Sequence, residues 1–306
     1  MNPNPEDCSE LARRLAAGRF TITAEVVPPA STDPADLLAR AAPLRGLATA
    51  VNVTDGAGAK AHLASLAAAH ILVQNGIEPI LQMTGRDRNR LALQSDLLGA
   101  LALGVRNVFF ISGDDPKIGD QPAAKAVFDL DTKGLLAMAR QIAEERRLPS
   151  GAPVRGPTRL VLGAAALPVD PPDDWSPADL IAKADAGARF VQTQFCMDAA
   201  IARRWIARLN ELGLTRRVKV LIGVAPIPSA QSAGWMRRRL FGTIIPEAIV
   251  ERLDRAGNPR REGVRICVEL LHELAAIPGV AGAHIMAPQN PSAIAEVIAA
   301  FGAAAL

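Results

Sequence analysis

Three well-separated segments carry polar groups that could do proton or hydride chemistry: Thr23-Ala-Glu25-Val-Val-Pro-Pro29, Phe110-Ile-Ser-Gly113-Asp114-Asp-Pro116 and Val191-Gln-Thr193-Gln194-Phe195. Glu25 lies in a mostly apolar run that ends at Pro28-Pro29. Burial disfavours the charged form of a carboxyl, so a glutamate there could hold a proton at neutral pH and pass it to a ring nitrogen as a general acid. A glutamate bonded to a polar neighbour is the alternative. At Ser112-Gly113-Asp114, the glycine would let a flat ligand approach the backbone, and Asp114 could accept its hydrogen bonds or face charge building on it. The alternative is a plain Asp-Pro turn. Gln194 offers both donor and acceptor, enough to read an amide-like ring edge or to bridge two strands. Lys183 could meet a phosphate or simply lie on the surface. His284 closes the last apolar run at the same rim, or serves as a core histidine.

Other patterns point less clearly to chemistry. Gly56-Ala-Gly58-Ala-Lys-Ala61 imitates a dinucleotide fingerprint, with Glu78 about 20 residues on. The fingerprint needs that acid at the end of the next strand, whereas Glu78 stands at the start of one. The glycines therefore read as a loop between a strand and a helix. In Arg86-Asp87-Arg88-Asn89 the Asp and Asn suit a helix cap and the arginines a solvated surface. Thr84-Gly85 before them offers a close ligand approach. His62, His70, His272 and His284 have no ligand spacing, so no metal is expected.

These groups need elements to position them. Eight β-branched or apolar runs, near 20–27, 48–54, 78–84, 105–111, 159–165, 189–194, 218–224 and 280–285, read as strands. Helical stretches follow near 34–44, 60–75, 88–103, 131–147, 177–187, 198–212, 229–241 with 246–273, and 290–301. The continuous apolar runs suit parallel strands buried on both faces. The alternation predicts one (β/α)8 TIM barrel over 1–306, with extra helices and chemistry at the strand C-termini. A helix near 7–17 is placed to plug the barrel floor. Gly76, Gly104, Gly187, Gly213 and Gly279 stand where helices should end. Residues 112–130 and 167–176 read as long loops on the active face. The insert around 242–262 reads as an extra helix with a loop.

Composition narrows the function. The chain has 306 residues, 49% hydrophobic, with net charge +3. Its arginine clusters (Arg203-Arg204, Arg237-Arg238-Arg239, Arg260-Arg261) read as solvated helix faces. With 4% aromatics and no Tyr, a nucleic-acid surface is not expected. No apolar run is long enough to span a membrane. Three cysteines, Cys8, Cys196 and Cys267, suit a reducing cytoplasm. The start, Met1-Asn-Pro-Asn-Pro-Glu-Asp, does not read as a signal peptide.

Taken together, these strings resemble the methylenetetrahydrofolate reductase family from about Phe20 to Ala287. The best stretches are Val53-Thr-Asp55, then Gln82-Met-Thr-Gly-Arg-Asp-Arg-Asn-Arg-Leu-Ala-Leu-Gln-Ser-Asp96, then Gly113-Asp114-Asp-Pro116 through Phe128-Asp-Leu-Asp131. The middle section is closest to short, single-domain bacterial forms of one-carbon pathways such as acetogenesis. The resemblance implies a flavoprotein of one-carbon metabolism and methionine biosynthesis. In such proteins NADH or NADPH reduces FAD, and the reduced flavin passes a hydride to the methylene carbon of 5,10-methylenetetrahydrofolate, giving 5-methyltetrahydrofolate. The reverse oxidation would use the same residues.

The resemblance also implies roles. Glu25 would be the general acid, Asp114 would lie near the flavin's pyrimidine edge and the pterin, and Gln194 would bond the pterin. Thr54 and Gly113 match flavin contacts, Ala164 a backbone contact after strand five, and Lys183 the lysine near the flavin phosphates. Gln82, Ser112, Phe128, Asp131 and Ala166 fall at further cofactor positions. Several depart from the pattern. Gln82 stands for a His, Ser112 for an Arg, Phe128 and Ala166 for Tyr, Ala230 for a Phe and Gly85 for a Cys. These departures keep FMN, a weakly held flavin or direct use of nicotinamide open. A folate-dependent methyltransferase barrel without flavin, a folate-binding subunit with a redox partner protein, and a homo-oligomer are the further alternatives.

Overall fold

The computed structural model describes residues 9–287 and 290–303. Eight strands form a closed barrel in chain order. They are β1 (Thr21–Val26), β2 (Ala50–Val53), β3 (Pro79–Thr84), β4 (Asn107–Ile111), β5 (Val161–Ala166), β6 (Phe190–Phe195), β7 (Lys219–Val224) and β8 (Val280–Ile285). Every neighbouring pair is parallel, and β8 closes onto β1 with Thr23 opposite His284.

The helices are α1 (Glu10–Ala16), α2 (Pro34–Ala41), α3 (Ser65–Gln74), α4 (Arg90–Ala102), α5 (Thr132–Arg140), α6 (Ala178–Ala186), α7 (Ala199–Glu211), α8 (Leu214–Arg217), α9 (Ala230–Arg239), α10 (Glu247–Asp254), α11 (Pro259–Ala275) and α12 (Pro291–Ala303). Side-chain caps fix several starts: Asp33, Asn89, Asp131, Asp198 and Ser229 each accept a first-turn N–H. The five expected helix-ending glycines all adopt positive φ.

All eight expected strands are present; β8 has the expected bounds, the others start one or two residues later, and β5 and β6 run one residue further. Residues 60–64 are not helical, because the glycine-rich turn delays α3 to Ser65. The short α8 was not expected. The insert holds α10, as read. The reading of Met1–Asp7, and Cys8, lie outside the described residues.

Alternation along the strands divides two cores. Ile22, Ala24 and Val26 of β1, with their counterparts on the other strands, pack outward under the helices. Inside the lower barrel, Ala50, Ile80, Phe109, Phe190 and Leu221 pack with Leu11 and Leu15 of α1. The Phe109 and Phe190 rings sit 6.0 Å apart. α1 therefore plugs the floor. Glu78 anchors it by accepting from the Glu10 and Leu11 amides at 2.6 and 2.9 Å, and from Asn107 at 2.9 Å. That anchoring role agrees with rejecting a dinucleotide fingerprint.

Candidate active site

Above this apolar floor the barrel interior turns polar. Thr23 and Glu25 of β1, Asn52 of β2, Gln192 and Gln194 of β6 and His284 of β8 alternate with outward residues that are apolar except Thr193. Asn52 and Gln192 form a reciprocal amide pair across the barrel, at 2.6 and 3.0 Å. Gln192 Nε2 also donates to Thr23 Oγ1 at 3.0 Å, and Thr23 Oγ1 lies 3.0 Å from His284 Nδ1. His284 Nε2 is 3.9 Å from Glu25 Oε2, with Glu25 13% exposed. A carboxyl at the barrel mouth thus stands on a buried polar chain. Sequence reasoning missed Thr23, Asn52 and Gln192. The signal was the period-two spacing Thr21, Thr23, Glu25 and Gln192, Gln194.

Gln194 sits one step above Gln192, at the mouth. Its Oε1 accepts from the Phe195 amide at 3.0 Å and its Nε2 donates to the Phe241 carbonyl at 3.3 Å. One N–H and one lone pair remain for a ligand. Phe241 is 84% exposed beside it.

Asp114 lies past the end of β4, and its carboxylate accepts from the Gly58 amide at 2.9 Å. The loop after β4 is thereby clasped to the loop after β2. The clasp is tight, since a Cβ on Gly119 would come within 2.0 Å of the Ala59 carbonyl. Glu25, Asp114 and Gln194 thus all occur at strand C-termini on one rim of the barrel.

The remaining expected residues divide. Thr54 is buried at the end of β2, and its hydroxyl has no partner. Gln82 faces inward on β3, and no described residue bonds its amide. Ala164 and Ala166 lie within β5, not after it, and their side chains face the helix layer; only their backbone could meet a ligand. Lys183 donates to the Ala165 carbonyl at 2.8 Å and pairs with Asp179 at 2.6 Å. Ser112 is exposed. Phe128 is exposed with φ of 43°. Asp131 caps α5 through the Gly134 amide at 2.8 Å.

Three expectations are corrected. Arg86 is buried, not solvated. It grips Asp87 and the Gly56 carbonyl, and the Asp87 hydrogen bond raises its pKa above the ordinary arginine value. Arg88 is half-buried and joins Asp55 and Asp96; only Asn89 caps the helix. Gly85 is approached by the chain itself, since a Cβ there would lie 2.5 Å from the Leu130 carbonyl. Among the described residues no His, Cys, Asp or Glu group could hold a metal, and no helix is long and apolar enough to cross a membrane.

The architecture is that of a (β/α)8 barrel with a polar, inward-lined mouth. The chain belongs to the methylenetetrahydrofolate reductase family, whose model matches residues 10–302. It is 26% identical over 243 residues to a "Probable methylenetetrahydrofolate reductase (NADPH)" of Caenorhabditis elegans. The match covers 77% of this chain and 34% of that relative, so the chain spans about a third of that protein's length. In fold it is similar to an uncharacterized protein from Clostridium thermocellum described as binding two copies of 5-methyl-5,6,7,8-tetrahydrofolic acid. The TM-score is 0.62 at 14% identity, over 95% of this chain and 98% of that one. The DHPS of Yersinia pestis, with a pterine-sulfa conjugate, is more distant, with a TM-score of 0.48 at 12% identity over 94% and 95%.

Proposed function

We propose that this chain reduces 5,10-methylenetetrahydrofolate to 5-methyltetrahydrofolate with NADH or NADPH as electron donor, or runs the reverse oxidation. The observation that carries this reading is the half-buried Glu25 carboxyl at the mouth of a polar barrel, in a chain of this family. The folate-binding description of the similarly folded clostridial protein supports the substrate class.

In this reading Glu25 gives its proton to N10 of the folate. The bond from the methylene carbon to N10 breaks, and its electron pair stays on N10. The carbon becomes an iminium on N5, and a hydride converts it to the methyl group. The sum consumes one NAD(P)H and one proton. Gln194 orients the pterin edge with its remaining donor and acceptor. Asp114, exposed on the same rim, faces the cationic iminium as its counter-charge once the bound ligand covers it.

The residues fit a flavin at its ring end. The orphaned Thr54 hydroxyl and the inward-facing Gln82 amide are donors and acceptors that the polar edge of such a ring would satisfy. When bound, a flavin (FAD or FMN) would relay the hydride between the nicotinamide and the folate. Thr54, Gln82 and the Gly113 backbone are the groups proposed to hold it, with Lys183, Ser112, Phe128 and Asp131 toward its phosphate end. Buried, free Cys196 and Cys267 suit the reducing cytoplasm expected for such an enzyme.

One observation favours a second reading, a folate-binding subunit that works with a redox partner protein. At the phosphate end Lys183 is already engaged by Asp179, and Ser112 carries no charge. The test is a spectrum of the pure protein with added FAD or FMN, followed by anaerobic titration with NADH and then methylenetetrahydrofolate. Bleaching followed by reoxidation supports the reductase. Folate binding without flavin binding or nicotinamide oxidation supports the subunit.

A further inference from the structure

We infer that His284 is a positioning residue for Glu25, presenting an Nε2–H to the carboxylate that forms when Glu25 gives up its proton. The inference rests on the reading of Glu25 as the acid. The geometry carries it in three steps. Gln192 Nε2 donates to Thr23 Oγ1 at 3.0 Å, which leaves the Thr23 hydroxyl its own proton to donate. His284 Nδ1 is 3.0 Å away, closer than the Ala283 carbonyl at 3.5 Å. We assign the Thr23 proton to the shorter of these two contacts, Nδ1, which puts the neutral ring's own proton on Nε2. That atom faces Glu25 Oε2 at 3.9 Å.

The separation is meaningful. A hydrogen bond needs about 3 Å, so His284 and Glu25 share none at this separation. After proton transfer the carboxylate is charged and barely solvated. Closing less than an ångström, or one bridging water, would complete a charge-assisted bond. The stabilisation falls on the state after proton loss and not on the resting acid, which is what acceleration requires. Asn52 pairs with the Gln192 amide, and Gln192 in turn donates to the Thr23 hydroxyl that stands beside His284. The chain of four buried side chains then serves one purpose: it keeps a donor pointed upward at the mouth.

Two conservative variants separate this role from simple filling of the core. His284→Gln keeps a donor near the Nε2 position and loses the partner of Thr23. His284→Asn keeps the partner of Thr23 and loses the donor to Glu25. We expect His284→Asn to lower kcat for methylenetetrahydrofolate reduction about 10- to 100-fold with KM changed less than about threefold, below the ~10²–10⁴-fold ascribed to a general acid. His284→Gln should keep most of the rate. In a Glu25→Gln background neither change should cost more, because the carboxylate no longer forms. Thermal melts check that each variant is folded. In parallel, ¹⁵N NMR of the wild-type chain should find His284 protonated on Nε2 and bare on Nδ1, with the Nε2 shift moving in Glu25→Gln.

The opposite ranking, with Gln impaired and Asn active, or the same loss in the Glu25→Gln background, or an Nδ1–H tautomer would overturn the assignment. If the wild-type chain makes no 5-methyltetrahydrofolate, the reductase reading fails. The tautomer and its response to Glu25→Gln then decide the His284 assignment by themselves.

Discussion

The Asp114 carboxylate and the Gly58 amide are joined at 2.9 Å above β3. This bond ties the loop after β4 to the loop after β2, so Asp114 is a structural clasp as well as a candidate for steadying charge on a ligand. The two jobs can be separated. Asp114→Asn keeps an oxygen to accept the Gly58 N–H and removes the charge; Asp114→Ala removes both. Hydrogen exchange over residues 56–60 and 112–127 should quicken in Asp114→Ala and change little in Asp114→Asn. Turnover should fall in both. Turnover preserved in Asp114→Asn would leave the carboxylate only its clasping role.

Gly119 is the tightest point of the same clasp. Its φ of −87° suits any residue, so only space forbids a side chain. A methyl there would meet the Ala59 carbonyl at 2.0 Å. Gly119→Ala should destabilise the chain by about 1–3 kcal/mol through overpacking. The prediction is a lower melting midpoint together with faster exchange at 57–60. An unchanged midpoint would mean the loops part at no cost.

The barrel was legible because its signals are local. Apolar runs and helix-ending glycines repeat along the chain, and each strand announces itself without its neighbours. Glu25 and Gln194 were legible as polar groups at strand ends. Thr23, Asn52 and Gln192 were not, because their meaning is mutual. Asn52 and Gln192 are 140 positions apart in sequence and meet only when the barrel closes. Arg86 was misread for a related reason. A short string of charged residues looks solvated, yet the loops after β2 and β4 close over it. The Lys183 pair with Asp179, one turn earlier on its own helix, was likewise not named from the sequence.

The Asn52–Gln192 pair carries a stability prediction. Both side chains are buried. Gln192→Leu removes the partner of Asn52 and a donor to Thr23. Leaving buried polar groups unsatisfied costs about 1–3 kcal/mol each, so urea denaturation should register a loss of about 2–5 kcal/mol. The double change Asn52→Leu with Gln192→Leu should recover part of it. A double variant weaker than the sum of the singles would contradict the pairing.

Burial pushes the Cys196 thiol from 9.0 up to about 11, and burial raises Cys267 as well. Below about pH 9 both folded and unfolded chains keep the Cys196 proton, and its stability contribution is complete. Between about pH 9 and pH 11 the unfolded chain loses the proton while the folded chain keeps it. Stability should therefore fall with rising pH by about 1.4 kcal/mol per unit from this group. Cys196→Ala should flatten the alkaline slope by that amount. An unchanged slope would show that the thiol ionises equally in both states.

Everything functional depends on whether Glu25 delivers a proton to a bound folate so that its methylene carbon can take a hydride. The direct measurement is anaerobic turnover of ¹³C-methylene-labelled tetrahydrofolate with NAD(P)H and added flavin, read by ¹³C NMR for wild type and Glu25→Gln. The account predicts a methyl resonance growing with NAD(P)H consumption in the wild type, and a rate at least about 100-fold lower in Glu25→Gln. Equal rates in the two chains would contradict it, as would a wild type that binds the folate and leaves the methylene signal unchanged.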